Sequence, residues 1–223
     1  MVALLECHNL SRYYGQVPAL DSLDLVMKTG ECVSLMGPNG SGKTTAAELI
    51  CGLQDPTDGW VEVNGFSIHR EPEAIAARRH LSYVPDNPAL YQDLTVRDHL
   101  LVVAAAHGVA DDDLDERVDD LLSSLGLDKR AEFFPSQLSR GMRQKTAIAC
   151  AVIRPFSLLV LDEPTIGLDT ASIETLHDLL VGSIASRKSI LLMTHDQEFA
   201  QSVATRVLHI AEGHVTAGPV TDA

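Results

Sequence analysis

Apolar residues recur along this chain with two different periods. From Leu4 to Leu10 and from Leu20 to Met27 they alternate with polar ones, as in half-buried strands, around a polar segment from Ser11 to Pro18. Cys32 to Met36, Ser157 to Leu161 and Ser189 to Met193 are short continuous apolar runs, the pattern of parallel strands buried on both faces. Leu81 to Val84 adds a short strand, ended by Pro85. Trp60 to Val63 alternates, Asn64-Gly65 is a hairpin turn signal and Phe66 to Ile68 is its return, with Trp60 covering sheet edge or core. Val207 to Ile210 and His214 to Ala217, around Glu212-Gly213, predict a terminal hairpin. Helical spacing occupies Thr45 to Cys51, Val96 to Ala106, Asp112 to Gly126, Ser139 to Ile153 and Thr170 to Ser186.

This succession predicts an α/β fold with a mainly parallel sheet and an N-terminal antiparallel β part. Residues 86–135, bounded by Pro85 and Pro135, are mostly helical and predict a helical subdomain inserted into a core formed by 1–85 and 136–223. A chain of 223 residues is long enough to bury one such core. The run Asp111 to Glu116 is read as solvated carboxylates favoured at a helix N-terminus, not as a metal site.

The net charge of −14 argues against non-specific nucleic-acid binding, which needs a basic face. No apolar run approaches the ~20 residues that cross a bilayer, and the N-terminal MVALLECHNL is neither basic nor apolar enough for a signal peptide. The expectation is a cytoplasmic chain that reaches a membrane only through a partner. Cys7, Cys32, Cys51 and Cys150 lack paired or C-x-x-C spacing and read as reduced core thiols.

The chemistry concentrates after the strand at Cys32 to Met36. Gly37 to Thr45, GPNGSGKTT, fits G-x-x-x-x-G-K-[ST] between a strand and a helix. Gly37, Gly40 and Gly42 let successive N–H groups turn inward on an anion at a positive helix end; Lys43 adds a point charge, and the Thr44 hydroxyl is placed to ligate Mg²⁺. A glycine-rich turn capping an ordinary helix would explain the glycines but not Lys43-Thr44 directly after them. The run at Ser157 to Leu161 ends in Asp162-Glu163, at the strand end where open α/β sheets bind ligands. One acid there suits Mg²⁺, the other an attacking water. Thr194-His195 ends the next strand at the same sheet edge. Ser139 and Gly141 open a second helix N-terminus, read either as an anion site or as a plain capped helix. Tyr14, before Gly15, either packs or stacks on a base.

Together these stretches resemble the ATP-binding cassette family, specifically the ATPase subunit of its transporters. Gly37 to Thr44 matches the Walker A loop, Leu158 to Asp162 the Walker B strand and Glu163 the catalytic glutamate. Gly167-Leu168-Asp169 is similar to the D-loop, His195 to the switch histidine and Tyr14 to the base-stacking aromatic. Leu138 to Met142 matches the signature motif in part, with Arg140 and Met142 replacing the usual Gly and Gln. Asp86 stands where the family usually has glutamine. That substitution, the stretch Tyr83 to Leu100 and the SRGM signature are similar to ABC-2 type exporter ATPases.

The resemblance implies ATP and Mg²⁺. Tyr14, the loop residues Gly37, Pro38, Asn39, Gly40, Ser41, Gly42, Lys43, Thr44 and Thr45, and Asp86, Ser139, Gly141 and Asp169 would contact the nucleotide. Thr44, Asp86 and Asp162 would serve the metal, and Lys43, Glu163 and His195 catalysis. It further implies a head-to-tail pair with a second copy or a related chain, an integral membrane permease as partner, and a place on the inner face of the cell membrane through that permease. The rival readings are an ABC ATPase that moves no solute and a nucleotide-switch regulatory module. A P-loop GTPase or kinase fits poorly: N-K-x-D is missing and Asp162-Glu163 with His195 would have no role.

Overall fold

The computed structural model describes residues 3–109 and 112–217, so Asp111, the first member of the acidic run, lies outside them. Ten strands follow in chain order: β1 (Leu5–Tyr14), β2 (Val17–Met27), β3 (Cys32–Met36), β4 (Asp58–Val63), β5 (Phe66–Ser67), β6 (Leu81–Val84), β7 (Leu158–Asp162), β8 (Ser189–Thr194), β9 (Arg206–Ala211) and β10 (His214–Ala217). The α-helices are α1 (Lys43–Ile50), α2 (Glu73–Arg79), α3 (Val96–Ala106), α4 (Leu114–Ser124), α5 (Arg140–Ile153), α6 (Thr170–Ala185) and α7 (Gln197–Val203). The strands form one sheet in the order β5-β4-β1-β2-β10-β9-β3-β8-β7-β6.

β3 lies between β9 and β8, and β8 between β3 and β7, all in parallel pairing. Every residue of β3, β7 and β8 is buried, which is why these strands read as unbroken apolar runs. Because neighbouring strands run the same way, the chain leaves β3, β7 and β8 at one edge of the sheet, and Gly37, Glu163 and His195 are the first residues beyond them.

β1, β2, β4 and β5 pair antiparallel and form the N-terminal part. β1 and β2 extend through the polar segment expected to separate them, leaving Gly15 and Gln16 as the turn. The ladder there is interrupted by register shifts, and Asn9 and Ser22 have φ of 48° and 56°, so the alternation that marks a regular strand is lost although the pairing continues. The Asn64-Gly65 hairpin forms as expected, with φ of 54° and 77°.

The chain divides into two compact units. One comprises the described residues up to Tyr83, Phe156–Glu163 and those from Leu180 onward; the other comprises Val84–Pro155 and Pro164–Leu179. The core of the first is built from such residues as Leu23, Met27, Leu35, Ile50, Val160 and Leu191. The core of the second joins Val96, Leu100, Val118, Leu122, Ala149 and Ile153 from α3, α4 and α5. Thr95 and Asp98 cap α3 reciprocally, each side chain accepting the other's backbone N–H, and Arg97 ties α3 to Asp115 and Asp119 of α4. The described part of the acidic run is thus an exposed helix start, and Asp115 is drawn to an arginine. All four cysteines are free thiols.

Candidate active site

The loop from Gly37 to Gly42 joins β3 to α1 and is pressed against its neighbours. A Cβ at Gly37 would stand 2.2 Å from the carbonyl of Ile210, and one at Gly42 2.2 Å from the carbonyl of Ala19; Gly42 also has a φ of 109°. Only glycine fits either position. Gly40, with a φ of 78°, has nothing within 4 Å of where its Cβ would be, so the crest of the loop is open. Gly213 N donates to Ser41 O and anchors the other side. The first backbone bond inside α1 runs from Ala46 N to Gly42 O, and no side chain caps the helix. Its first-turn N–H groups therefore have neither an intrahelical nor a side-chain acceptor, the arrangement that receives an anion. Ser41 is buried, with its hydroxyl lacking a hydrogen-bond partner among the described residues.

Lys43 is nearly fully buried and donates from Nζ to Gly37 O (2.7 Å) and Pro38 O (3.0 Å). The same Nζ lies 3.2 Å from Glu163 Oε1. A buried ammonium and a buried carboxylate each demand a partner, and here each has the other. Beside them Thr44 Oγ1 donates to Asp162 Oδ2 at 2.7 Å, joining the phosphate loop to the end of β7.

Glu163 adopts a φ of 48°, uncommon for a side chain of its size, while its N–H donates to Met193 O at the end of β8. Strain at a residue that the surrounding structure over-determines often accompanies function. Its Oε2 accepts from His195 Nδ1 at 2.9 Å and, at longer range, from Thr194 Oγ1 and His195 N. The contact implies the tautomer with the proton on Nδ1, which leaves Nε2 of a half-exposed ring free to face a ligand. Thr194 has no part in the sequence-based site. Its only signal there is its place directly before His195 at the end of a buried run.

Tyr14 is half exposed. Its hydroxyl donates to Gln54 Oε1 at 2.8 Å, and the Arg12 guanidinium lies over its ring, 5.0 Å from the centroid. Gln54 carries no sequence signal for this, because it meets Tyr14 across 40 positions, whereas Arg12 stands two residues before Tyr14 on the same strand.

Asp86, Ser139, Gly141 and Asp169 belong to the second unit. Ser139 caps α5 by accepting Met142 N–H at 3.2 Å. Gly141 packs on the 164–169 turn so closely that a Cβ would meet Gly167 O at 2.2 Å. Asp169 accepts from the Ser172 hydroxyl and N–H at the start of α6; these bonds, the side-chain one foremost, hold its carboxyl below the usual range. Asp86 pairs with Arg140 at 2.9 Å.

Among the described residues no group of three or more His, Cys, Asp or Glu forms a metal cage. Mg²⁺ is held by one or two protein oxygens together with phosphate and water. Thr44 beside Asp162 supplies such a pair, and the uncapped α1 N-terminus, the Ser41 hydroxyl and Lys43 suit a polyphosphate.

Comparison with known proteins gives the same picture. The sequence profile described as ABC transporter matches residues 20–166. The chain is 32% identical to the ABC-type transporter ATP-binding protein EcsA of Bacillus subtilis (strain 168) over 97% of its own length and 87% of that protein's. It is 36% identical to the Nod factor export ATP-binding protein I of Sinorhizobium fredii (strain NBRC 101917 / NGR234), covering 94% of this chain and 60% of that longer one. A dimeric structure of a post-hydrolysis state of an ATP-binding cassette, bound to ADP and Pi, superposes with a TM-score of 0.85 at 27% identity, covering 96% of this chain and 98% of that one. No helix among the described residues is long and apolar enough to cross a membrane. The chain belongs to the ABC transporter family, as an ATP-binding and ATP-hydrolysing subunit.

Proposed function

We propose that this chain is the ATPase of an ABC exporter of the ABC-2 type, and that it works as a head-to-tail pair with a second copy or a related chain on an integral membrane permease. The observation that carries the reading is the position of Glu163, a buried carboxylate at the end of β7 held between Lys43 and His195, beside the Thr44–Asp162 pair. The export activity named for the Sinorhizobium relative supports the direction of transport, and the dimeric cassette bound to ADP and Pi supports pairing.

In this reading the loop N–H groups and Lys43 bind the phosphates of ATP, and Tyr14 stacks on the base. Bound Mg²⁺ would supply Lewis-acid neutralisation of the phosphate oxygens, and Thr44 and Asp162 would hold it. Glu163 takes the proton from the attacking water as general base. His195 donates from Nδ1 to the Glu163 carboxylate and fixes it, and its Nε2, left with the lone pair, accepts from the attacking water beside the γ-phosphate. Ser139 and Gly141 at the start of α5, with Asp169, meet the nucleotide held by the other chain. The closed pair then biases the permease, an instance of ligand-driven domain motion.

The test is Glu163→Gln. Turnover should fall about 10²- to 10⁴-fold, the usual range for loss of a general base. Light scattering should find the variant as a dimer with ATP and Mg²⁺ and as a monomer without them. Rapid turnover by the variant removes Glu163 as the base, and a monomer at saturating ATP removes the paired mechanism.

A further inference from the structure

Two side chains of opposite charge that lie far apart in the sequence, Asp86 and Arg140, face each other. Arg140 Nη2 donates to Asp86 Oδ1 at 2.9 Å, across 54 positions of sequence, inside the second unit. Arg140 is the first residue of α5, directly after the cap Ser139. A cation there opposes the positive end of the helix and needs a compensating negative charge; Asp86 provides one.

The stem of Arg140 is also committed. A Cβ at Gly167 would stand 3.4 Å from Arg140 Cγ and 3.5 Å from Cδ, so the methylenes lie along the backbone of the 164–169 turn. Gly141 packs its own backbone on the same turn. Arg140 thus touches three segments: the stretch after β6 through its guanidinium, the 164–169 turn through its stem, and α5 through its backbone. We propose that Asp86 and Arg140 are one positioning unit, whose ion pair sets the orientation in which Ser139 and Gly141 are presented to nucleotide. The pair acts through α5, so neither charge has to reach the phosphates for its loss to be felt. This rests on the reading that the start of α5 meets the nucleotide of a second chain.

The side chains are 55% and 42% exposed, so the coupling is that of a partly solvated pair and is weakened by salt. The experiment is a double-mutant cycle on ATP-driven self-association in the Glu163→Gln background, followed by sedimentation in 0.05 and 0.5 M salt. Asp86→Asn and Arg140→Gln should each weaken association about 2- to 5-fold at low salt. The double variant should lose no more than either single one, and Arg140→Lys should keep most of the parent's affinity. Losses that multiply in the double variant, or an Asp86→Asn protein that associates as tightly as its parent, overturn the inference. If the Glu163→Gln parent itself stays monomeric with ATP, the paired reading fails and takes this inference with it, an outcome distinct from a dimer whose cycle is additive.

Discussion

At the scale of single residues, the site is arranged around charges that only one another can satisfy. Lys43 is held by two carbonyls of its own loop and by Glu163, and the Lys43 and Glu163 side chains are both buried. Lys43→Ala removes the loop's cation and leaves Glu163 buried without its ion pair. Charge-assisted bonds are worth about 1.5–3 kcal/mol, so ATP affinity should fall about 10- to 100-fold in a titration with fluorescent nucleotide. A second residue effect lies away from the chemistry. Burial, helped by the neighbouring charge of Glu31, pushes the Cys32 thiol from 9.0 up to about 12. The folded state thus favours the protonated thiol. Its contribution to stability is complete below pH 9 and is lost as the pH rises toward 12. Thermal melts from pH 8 to 11 should fall more steeply for the wild type than for Cys32→Ala, by at most ~1.4 kcal/mol per pH unit. Equal slopes for the two proteins would show that Cys32 does not titrate on unfolding in this range.

Among the elements, two helix starts are built differently. α1 has glycine at its N-cap and no side-chain acceptor, so its first turn is open to a ligand anion, whereas α5 is closed by the Ser139 hydroxyl and seated on the 164–169 turn by Gly141. Gly141→Ala places a methyl 2.2 Å from a backbone oxygen, which a rotamer change cannot relieve. The expected cost is about 1–3 kcal/mol in denaturant unfolding, as for an overpacked contact. Ser139→Ala should cost only about 1 kcal/mol, the usual value of an N-cap. Reversal of that order would place the burden of α5 on its cap. Elements with a strong local signal were legible in advance: α3 has the expected bounds Val96–Ala106, and β3 those of its apolar run. The far ends of β1 and the start of β2 were not, because Ser11 to Tyr14 lie in an irregular ladder whose pairing, and not its hydrophobicity, makes it a strand. The short α2 and α7 lie where no element is predicted. Seven residues each give too little periodicity, and they are set by packing and, in α7, by the Asp196 cap.

For the whole molecule, the proposed permease is what would hold the chain to a membrane. None of the described helices can span a bilayer, and a net charge of −14 is repelled by anionic lipid. The purified chain should therefore stay in the supernatant with anionic vesicles at about 0.15 M salt. Affinity capture from detergent-extracted membranes should instead bring down an integral protein; sedimentation with bare vesicles would contradict this.

By itself the sequence determined the α/β class, the phosphate loop and the order in which its chemical residues reach one sheet edge, since these follow from local periodicity, glycine chemistry and the parallel direction of buried strands. Tertiary structure decided which side chains meet. Thr44 finds Asp162 across 118 positions, Glu163 finds His195 across 32 and Asp86 finds Arg140 across 54. No local pattern encodes such pairs, because each depends on where separate strands and helices are brought together by the burial of residues that take no part in the chemistry.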